Sequence, residues 1–130
     1  MKYAEKEIER ADFAPKTCTW TTPLGDKYFL KIPNTVYPPR EDTNLLARTL
    51  MEFNSENGKK LLEIGCGSGV ISILANTLGW EVTGCDINPL AIAASRGLAE
   101  QYNIDNIDFL EGGIDPNSNR SSKIFEKVQL

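Results

Sequence analysis

From Lys60 onward the chain alternates between short apolar runs and amphipathic stretches. "KLLEIG" reads as a buried strand and "SGVISILANTLG" as a helix closed by Gly79. "WEVTGCD" reads as a second strand, "PLAIAASRGLAEQYN" as a second helix opening on Pro89, and "IDFLEG" as a third strand. Strand–helix units this short leave parallel pairing with right-handed crossovers as the natural solution. "KIFEKVQL" reads as the start of a fourth strand after the polar stretch "GIDPNSNRSS".

Upstream, "TCTWTT" (Thr17 to Thr22) and "KYFLKI" (Lys27 to Ile32) are β-branched and aromatic, and "PLGD" between them forms turns. They predict a hairpin. Its Trp20, Tyr28 and Phe29 are expected to pack within it. "PNTVYPPRED" is extended, because paired prolines do not fit inside a helix. A helix is expected to start near Asp42 or Thr43, with Leu45, Leu46, Leu50 and Phe53 on one face and Thr49 beside them. A short polar helix is expected over Lys2 to Asp12. The predicted organisation is an N-terminal extension and hairpin over 1–41 and an α/β domain over 42–130.

In such a sheet, ligands bind at the carboxyl ends of the strands. Gly65, Gly67 and Gly69 fall at the end of the first strand of the alternating part. The dinucleotide pattern G-x-G-x-x-G needs glycine at position 70, where Val70 stands. Asp86 ends the next strand, 21 residues after Gly65, where an acid accepts hydrogen bonds from both ribose hydroxyls. Glu63 precedes the glycines by two residues. A pyrophosphate would repel it, whereas a ligand carrying a sulfonium and an ammonium would be attracted. Together these residues favour S-adenosylmethionine over a nicotinamide or flavin dinucleotide. Each acid also has a plainer reading: Glu63 as a buried carboxylate satisfied by backbone amides, Asp86 as a helix cap.

The 130 residues contain no histidine, which removes the commonest general base and most zinc sites. Cys18, Cys66 and Cys85 form no CxxC pair and read as small buried apolar side chains, in keeping with a reducing cytoplasm. A net charge of -4 argues against gripping nucleic acid by bulk charge. "MKYAEKEIER" has no apolar core of a signal peptide, and no run is long enough to span a membrane.

"LLEIGCGSGVISILA" followed by "VTGCDINPLAIAASRGLAE" resembles the first two motifs of the Rossmann-like, S-adenosylmethionine-dependent class I methyltransferases. "FLKIPNTVYPPREDTNLL" is similar to the segment leading into the domain of the HemK/PrmC group, with the short N-terminus of its archaeal and eukaryotic type. The resemblance implies a sheet in the order 3-2-1-4-5-7-6, here incomplete at the C-terminus. It implies N-methylation of a protein glutamine, as in a release factor, or of a nucleobase amino group in RNA or DNA.

It also implies roles. Gly65, Gly67 and Gly69 pass under the cofactor, Glu63 holds its methionine end, Asp86 its ribose, and Ile87 and Asn88 flank its adenine. Arg40 and Thr43, in a "PR-x-x-T" signature, sit near the methionine carboxylate or the substrate entrance. Two features depart from the group. Gly113 stands where an acid contacts the adenine amino group, with Glu111 and Asp115 as possible substitutes. The catalytic Asn/Asp-Pro-Pro-Tyr is not present in these residues, so no catalytic residue is named. The alternative reading is therefore an inactive or split methyltransferase that binds only the cofactor. The group further implies an activator subunit, and an open sheet edge implies self-association.

Overall fold

The computed structural model of the chain describes residues 15–53 and 58–113. The helix expected over Lys2 to Asp12, the strand expected in "KIFEKVQL" and the substitute acid Asp115 lie outside them. Two sheets are present among the described residues: an antiparallel hairpin of β1 (Lys16–Thr21) and β2 (Lys27–Ile32), and a parallel sheet of β3 (Lys60–Ile64), β4 (Glu81–Asp86) and β5 (Asp108–Glu111) in the order β3-β4-β5. Helix α1 (Glu41–Glu52) links the two sheets, and α2 (Val70–Thr77) and α3 (Pro89–Gln101) are the crossovers. Counted from β3, the strand order is 3-2-1, the half of the expected sheet that these residues encode.

The hairpin alternates as a half-buried sheet should. Tyr28, Leu30 and Ile32 point inward, and Lys27, Phe29 and Lys31 point out. Its turn is closed by the Thr22 hydroxyl, which accepts the amides of Leu24 and Asp26 at 3.2 Å each. Trp20 and Tyr28 face each other across the strands with ring centroids 6.4 Å apart, and Tyr102 meets Tyr28 edge-on at 4.8 Å. Phe29 departs from expectation. It lies on the outer face, 56% exposed, with the Lys27 ammonium over its ring at 5.6 Å. The outer edge of β2 is tied to α3: the Phe29 N–H donates to the Tyr102 hydroxyl at 2.8 Å, and the Gln101 amide donates to the Phe29 carbonyl.

Helix α1 begins two residues earlier than predicted. Its cap position is Arg40, and Thr43 caps from inside the first turn by accepting the Arg40 N–H at 3.2 Å. The buried residues are Ala47 and Leu50, while Leu45, Leu46 and Phe53 are exposed. Of the predicted stripe only Leu50 is buried; Leu45, Leu46 and Phe53 face outward. Trp20 Nε1 donates to Asn44 Oδ1 at 2.8 Å, which ties α1 to the hairpin, and α1 also packs against α2.

Helix α2 has only eight residues, too few for stability in isolation. Every residue from Val70 to Ala75 is buried. Ile73 and Leu74 each contribute on the order of 1.5–3 kcal/mol by leaving water. Strand β3 is half-buried rather than buried. Gly84 of β4 lies across from Glu63 and from Phe109. A Cβ there would stand 2.9 Å from the Phe109 ring and 3.0 Å from the Ser72 hydroxyl, so the bare position lets α2 settle on the sheet.

Gly84→Ala is therefore expected to destabilise the chain by about 1–3 kcal/mol through overpacking. A lowered midpoint in urea denaturation with an unchanged slope would show it.

Candidate functional site

The carboxyl ends of β3 and β4 lie side by side, and the chain between β3 and α2 folds across them. The Cys85 carbonyl accepts both the Gly65 N–H at 2.8 Å and the Cys66 N–H at 2.9 Å, which pins the loop to β4. The Gly69 N–H then donates to the Cys66 carbonyl, closing a tight turn into α2. Gly67 has φ +54° and Gly69 φ +88°, the left-handed region that only glycine enters cheaply. The two differ in their surroundings. A Cβ on Gly69 would strike Ser95 of α3 at 2.7 Å, whereas a Cβ on Gly67 or Gly65 would meet nothing within 4 Å. The loop thus packs tightly underneath and presents bare backbone to open space above.

Both predicted acids flank this loop. Asp86 Oδ2 accepts the Gly67 N–H at 2.9 Å, and Asp86 Oδ1 accepts the Asn88 N–H at 2.9 Å. Asp86 is not the cap of α3. Asn88 fills that position, its Oδ1 accepting the Leu90 N–H at 3.0 Å, with Pro89 first in the helix. A carboxylate offers about four acceptor sites, so Asp86 keeps capacity for two further donors. The side-chain amide of Asn88 donates to the Thr35 hydroxyl at 3.3 Å and ties the extended proline-containing segment to the rim.

Glu63 Oε1 accepts the N–H of Ser72 at 3.1 Å and its hydroxyl at 2.6 Å. Ser72 is the third residue of α2, so the carboxylate lies where the helix dipole favours negative charge. Burial nevertheless dominates. Desolvation raises the Glu63 carboxyl from its usual 4.5 to about 7, the Ser72 bonds oppose the rise, and nearby Asp86 adds to it. Burial likewise pushes the Cys66 thiol up to about 12, which leaves it an inert packing group. Cys85 is fully buried as expected, while Cys18 is partly exposed.

The structure therefore brings together Glu63, Gly65, Gly67, Gly69, Asp86 and Asn88. Ile87 stands at the rim, 71% exposed, its Cγ2 3.1 Å from where a Cβ on Gly113 would lie. Arg40 and Thr43 sit at the start of α1, and no hydrogen bond described links either to the loop. Three contributors were not singled out from sequence: Ser72, Ser95 and Thr35. Ser72 and Ser95 had a visible signal, each being a hydroxyl on an otherwise apolar helix face. Among the described residues no cluster of metal-ligating side chains occurs, and no helix is long and apolar enough to cross a membrane.

The Glu63 shift has a consequence for stability. Between pH 4.5 and about 7 the folded chain holds a proton that the unfolded chain has released. The ligand-free protein is therefore expected to lose stability as pH rises through that window. Glu63→Gln keeps an acceptor for Ser72 and should flatten that part of the profile in urea midpoints measured across the range.

The model of the methyltransferase domain family matches residues 55–127, more than half of the chain. A ribosomal protein L11 methyltransferase of Lachnospira eligens is 38% identical over 77 residues, covering 57% of this chain and 24% of that protein. Its counterpart in Nitratiruptor sp. is 26% identical over 140 residues, covering 95% of this chain and 49% of that protein. The chain thus spans between about a quarter and a half of these curated relatives. The T. thermophilus 16S rRNA N2 G1207 methyltransferase, solved in complex with AdoMet and guanosine, superposes with a TM-score of 0.67 at 18% identity, over 75% of this chain and 28% of that one, and shares its fold. With the glycine loop and the parallel 3-2-1 sheet already in place, the match settles the family: the chain belongs to the methyltransferase domain family.

Proposed function

We propose that these residues form the cofactor-binding half of an S-adenosylmethionine-dependent N-methyltransferase, with 42–130 as that half and 1–41 as its N-terminal extension. The observation that carries the reading is the bare backbone of Gly65 and Gly67, which faces open space between two carboxylates. The site fits the ligand. Asp86 has acceptor capacity left for the two ribose hydroxyls, and the apolar Ile87 side chain offers a surface for an adenine ring. Glu63, beneath the loop, is an acid that a neighbouring cation would drive into its charged form. The AdoMet held by the T. thermophilus neighbour supports the same choice. When bound, this cofactor supplies a methyl on an activated sulfonium, transferred by direct displacement. Such a step needs mainly alignment of the acceptor nitrogen, which suits a chain without histidine. A dinucleotide fits less well, since its pyrophosphate would be repelled by Glu63 and Val70 stands where its fingerprint needs glycine.

For the acceptor, we favour a nitrogen on a protein of the translation apparatus. Two readings share that class. "FLKIPNTVYPPREDTNLL" is similar to the HemK/PrmC group and supports a release-factor glutamine. The relatives named above support a ribosomal protein instead. The RNA substrate named for the T. thermophilus neighbour keeps a nucleobase as a third acceptor. An activator subunit, and self-association through the open edge of the expected fourth strand, remain part of the proposal. The cofactor-only reading is favoured by Gly113 at the position where the group carries an acid.

Calorimetric titration of the chain with S-adenosylmethionine is expected to show one site, and titration with NAD none. Asp86→Ala should weaken the first by about 100-fold or more, the loss of two hydrogen bonds to a charged group. Tight NAD binding with no response to S-adenosylmethionine would overturn the reading. Tritium transfer from labelled S-adenosylmethionine to purified release factor, ribosomal protein or RNA would separate the acceptors. Binding with no transfer to any of them would favour the cofactor-only module.

A further inference from the structure

The buried face of α3 consists of Ala91, Ile92, Ser95, Leu98 and Ala99. Four of these are apolar. The fifth is a hydroxyl with no exposure at all. Burying a hydroxyl costs free energy unless it is hydrogen-bonded, and serine is a poorer helix former than alanine. An alanine would permit the same close approach of helix to loop without either cost. The oxygen therefore calls for a separate explanation.

Among the described residues, the hydrogen bond and close approaches of this oxygen lie in the glycine loop. Ser95 Oγ donates to the Gly67 carbonyl at 2.9 Å and lies 3.6 Å from Cys66 Sγ. The same oxygen is 2.7 Å from where a Cβ on Gly69 would stand, and Ser95 Cβ is 2.8 Å from it. Gly67 is the residue whose N–H is held by Asp86. It is thus fastened on both sides, its N–H to the end of β4 and its carbonyl to α3. A glycine with φ +54° has more alternative conformations than any other residue, and two opposed hydrogen bonds select one of them.

The geometry points to Ser95 as a positioning residue that locks the Gly67 backbone, and with it the Asp86 carboxylate, in the conformation that receives the cofactor. The inference rests on the cofactor reading proposed above. Ser95 bonds the loop from beneath the open space and acts through Gly67.

The test uses the full chain with Ser95→Ala and Ser95→Cys. Cysteine keeps the shape but offers a weak S–H donor. Three quantities are measured: the thermal midpoint, the hydrogen-exchange rate of the Gly67 amide, and the S-adenosylmethionine affinity. In Ser95→Ala the Gly67 amide should exchange about tenfold faster, and affinity should fall by about tenfold, as expected for one lost hydrogen bond. Amides at the centres of α3 and β4 should keep their rates, and Ser95→Cys should fall between. Unchanged Gly67 exchange and affinity in Ser95→Ala would overturn the role. So would exchange raised uniformly along the chain, the mark of plain destabilisation. If the alanine variant does not fold, Ser95→Cys against the parent makes the same comparison, and identical Gly67 exchange overturns the proposal. If the parent chain binds no S-adenosylmethionine, the cofactor reading falls, and Gly67 exchange still decides whether Ser95 holds the loop.

Discussion

Gly67 is held by its N–H to Asp86 and by its carbonyl to Ser95, and these bonds join the end of β4, the loop and α3. Without them the peptide groups on either side of Gly67 lose the side-chain bonds that orient them, because glycine at positive φ supplies no side chain to wedge it. The neighbouring bonds from Gly65 and Cys66 to the Cys85 carbonyl pin the start of the loop to β4. The orientation of Asp86 depends on the same arrangement. One carboxylate oxygen is turned toward Gly67 and the other toward Asn88, so the acid stands at the mouth of the site.

A second layer lies beneath. Glu63, Ser72 and Gly84 meet where α2 rests on β3 and β4. The missing side chain at Gly84 admits the Ser72 hydroxyl, and Ser72 fastens Glu63. Two opposing effects act on that carboxylate. Hydrogen bonds at a helix N-terminus favour its charge, and desolvation disfavours it. Desolvation is the larger, so the group titrates near neutrality rather than in the usual acidic range. A carboxylate in that state responds to a cation placed over the loop, which is the physical link between this layer and the proposed ligand.

The alternation after Lys60 was readable because each unit is short and its period is clear. All three strands, both crossover helices and the hairpin fell where the pattern put them, within a residue or two at the ends. Helix α1 shows the limit of that reading. Its Leu45, Leu46, Leu50 and Phe53 stripe is periodic, but periodicity does not say which neighbour a face meets. With α1 packed against α2 and bonded to Trp20 through Asn44, Ala47 is buried and only Leu50 of that stripe joins it. Phe29 teaches the same point: strand alternation put it opposite Tyr28, and the packing of α3 chose Tyr28 for the inside. The glycines and both acids were visible as residue types at the right spacing. Their partners were not: Ser72 and Ser95 stand out as hydroxyls on apolar helix faces, but the sequence does not say which group each one bonds.

What the sequence by itself determined is the element order, the parallel pairing and the place of the loop, because local periodicity and glycine punctuation act over a few neighbouring residues. What only the tertiary structure decided is the pairing of the groups around that loop: Glu63 with Ser72, Asp86 with the Gly67 amide, Ser95 with the Gly67 carbonyl. Those contacts span 9, 19 and 28 residues of chain. They exist only once the helices have been packed on the sheet, where burial makes an unpaired polar group costly and so dictates which partner each one takes.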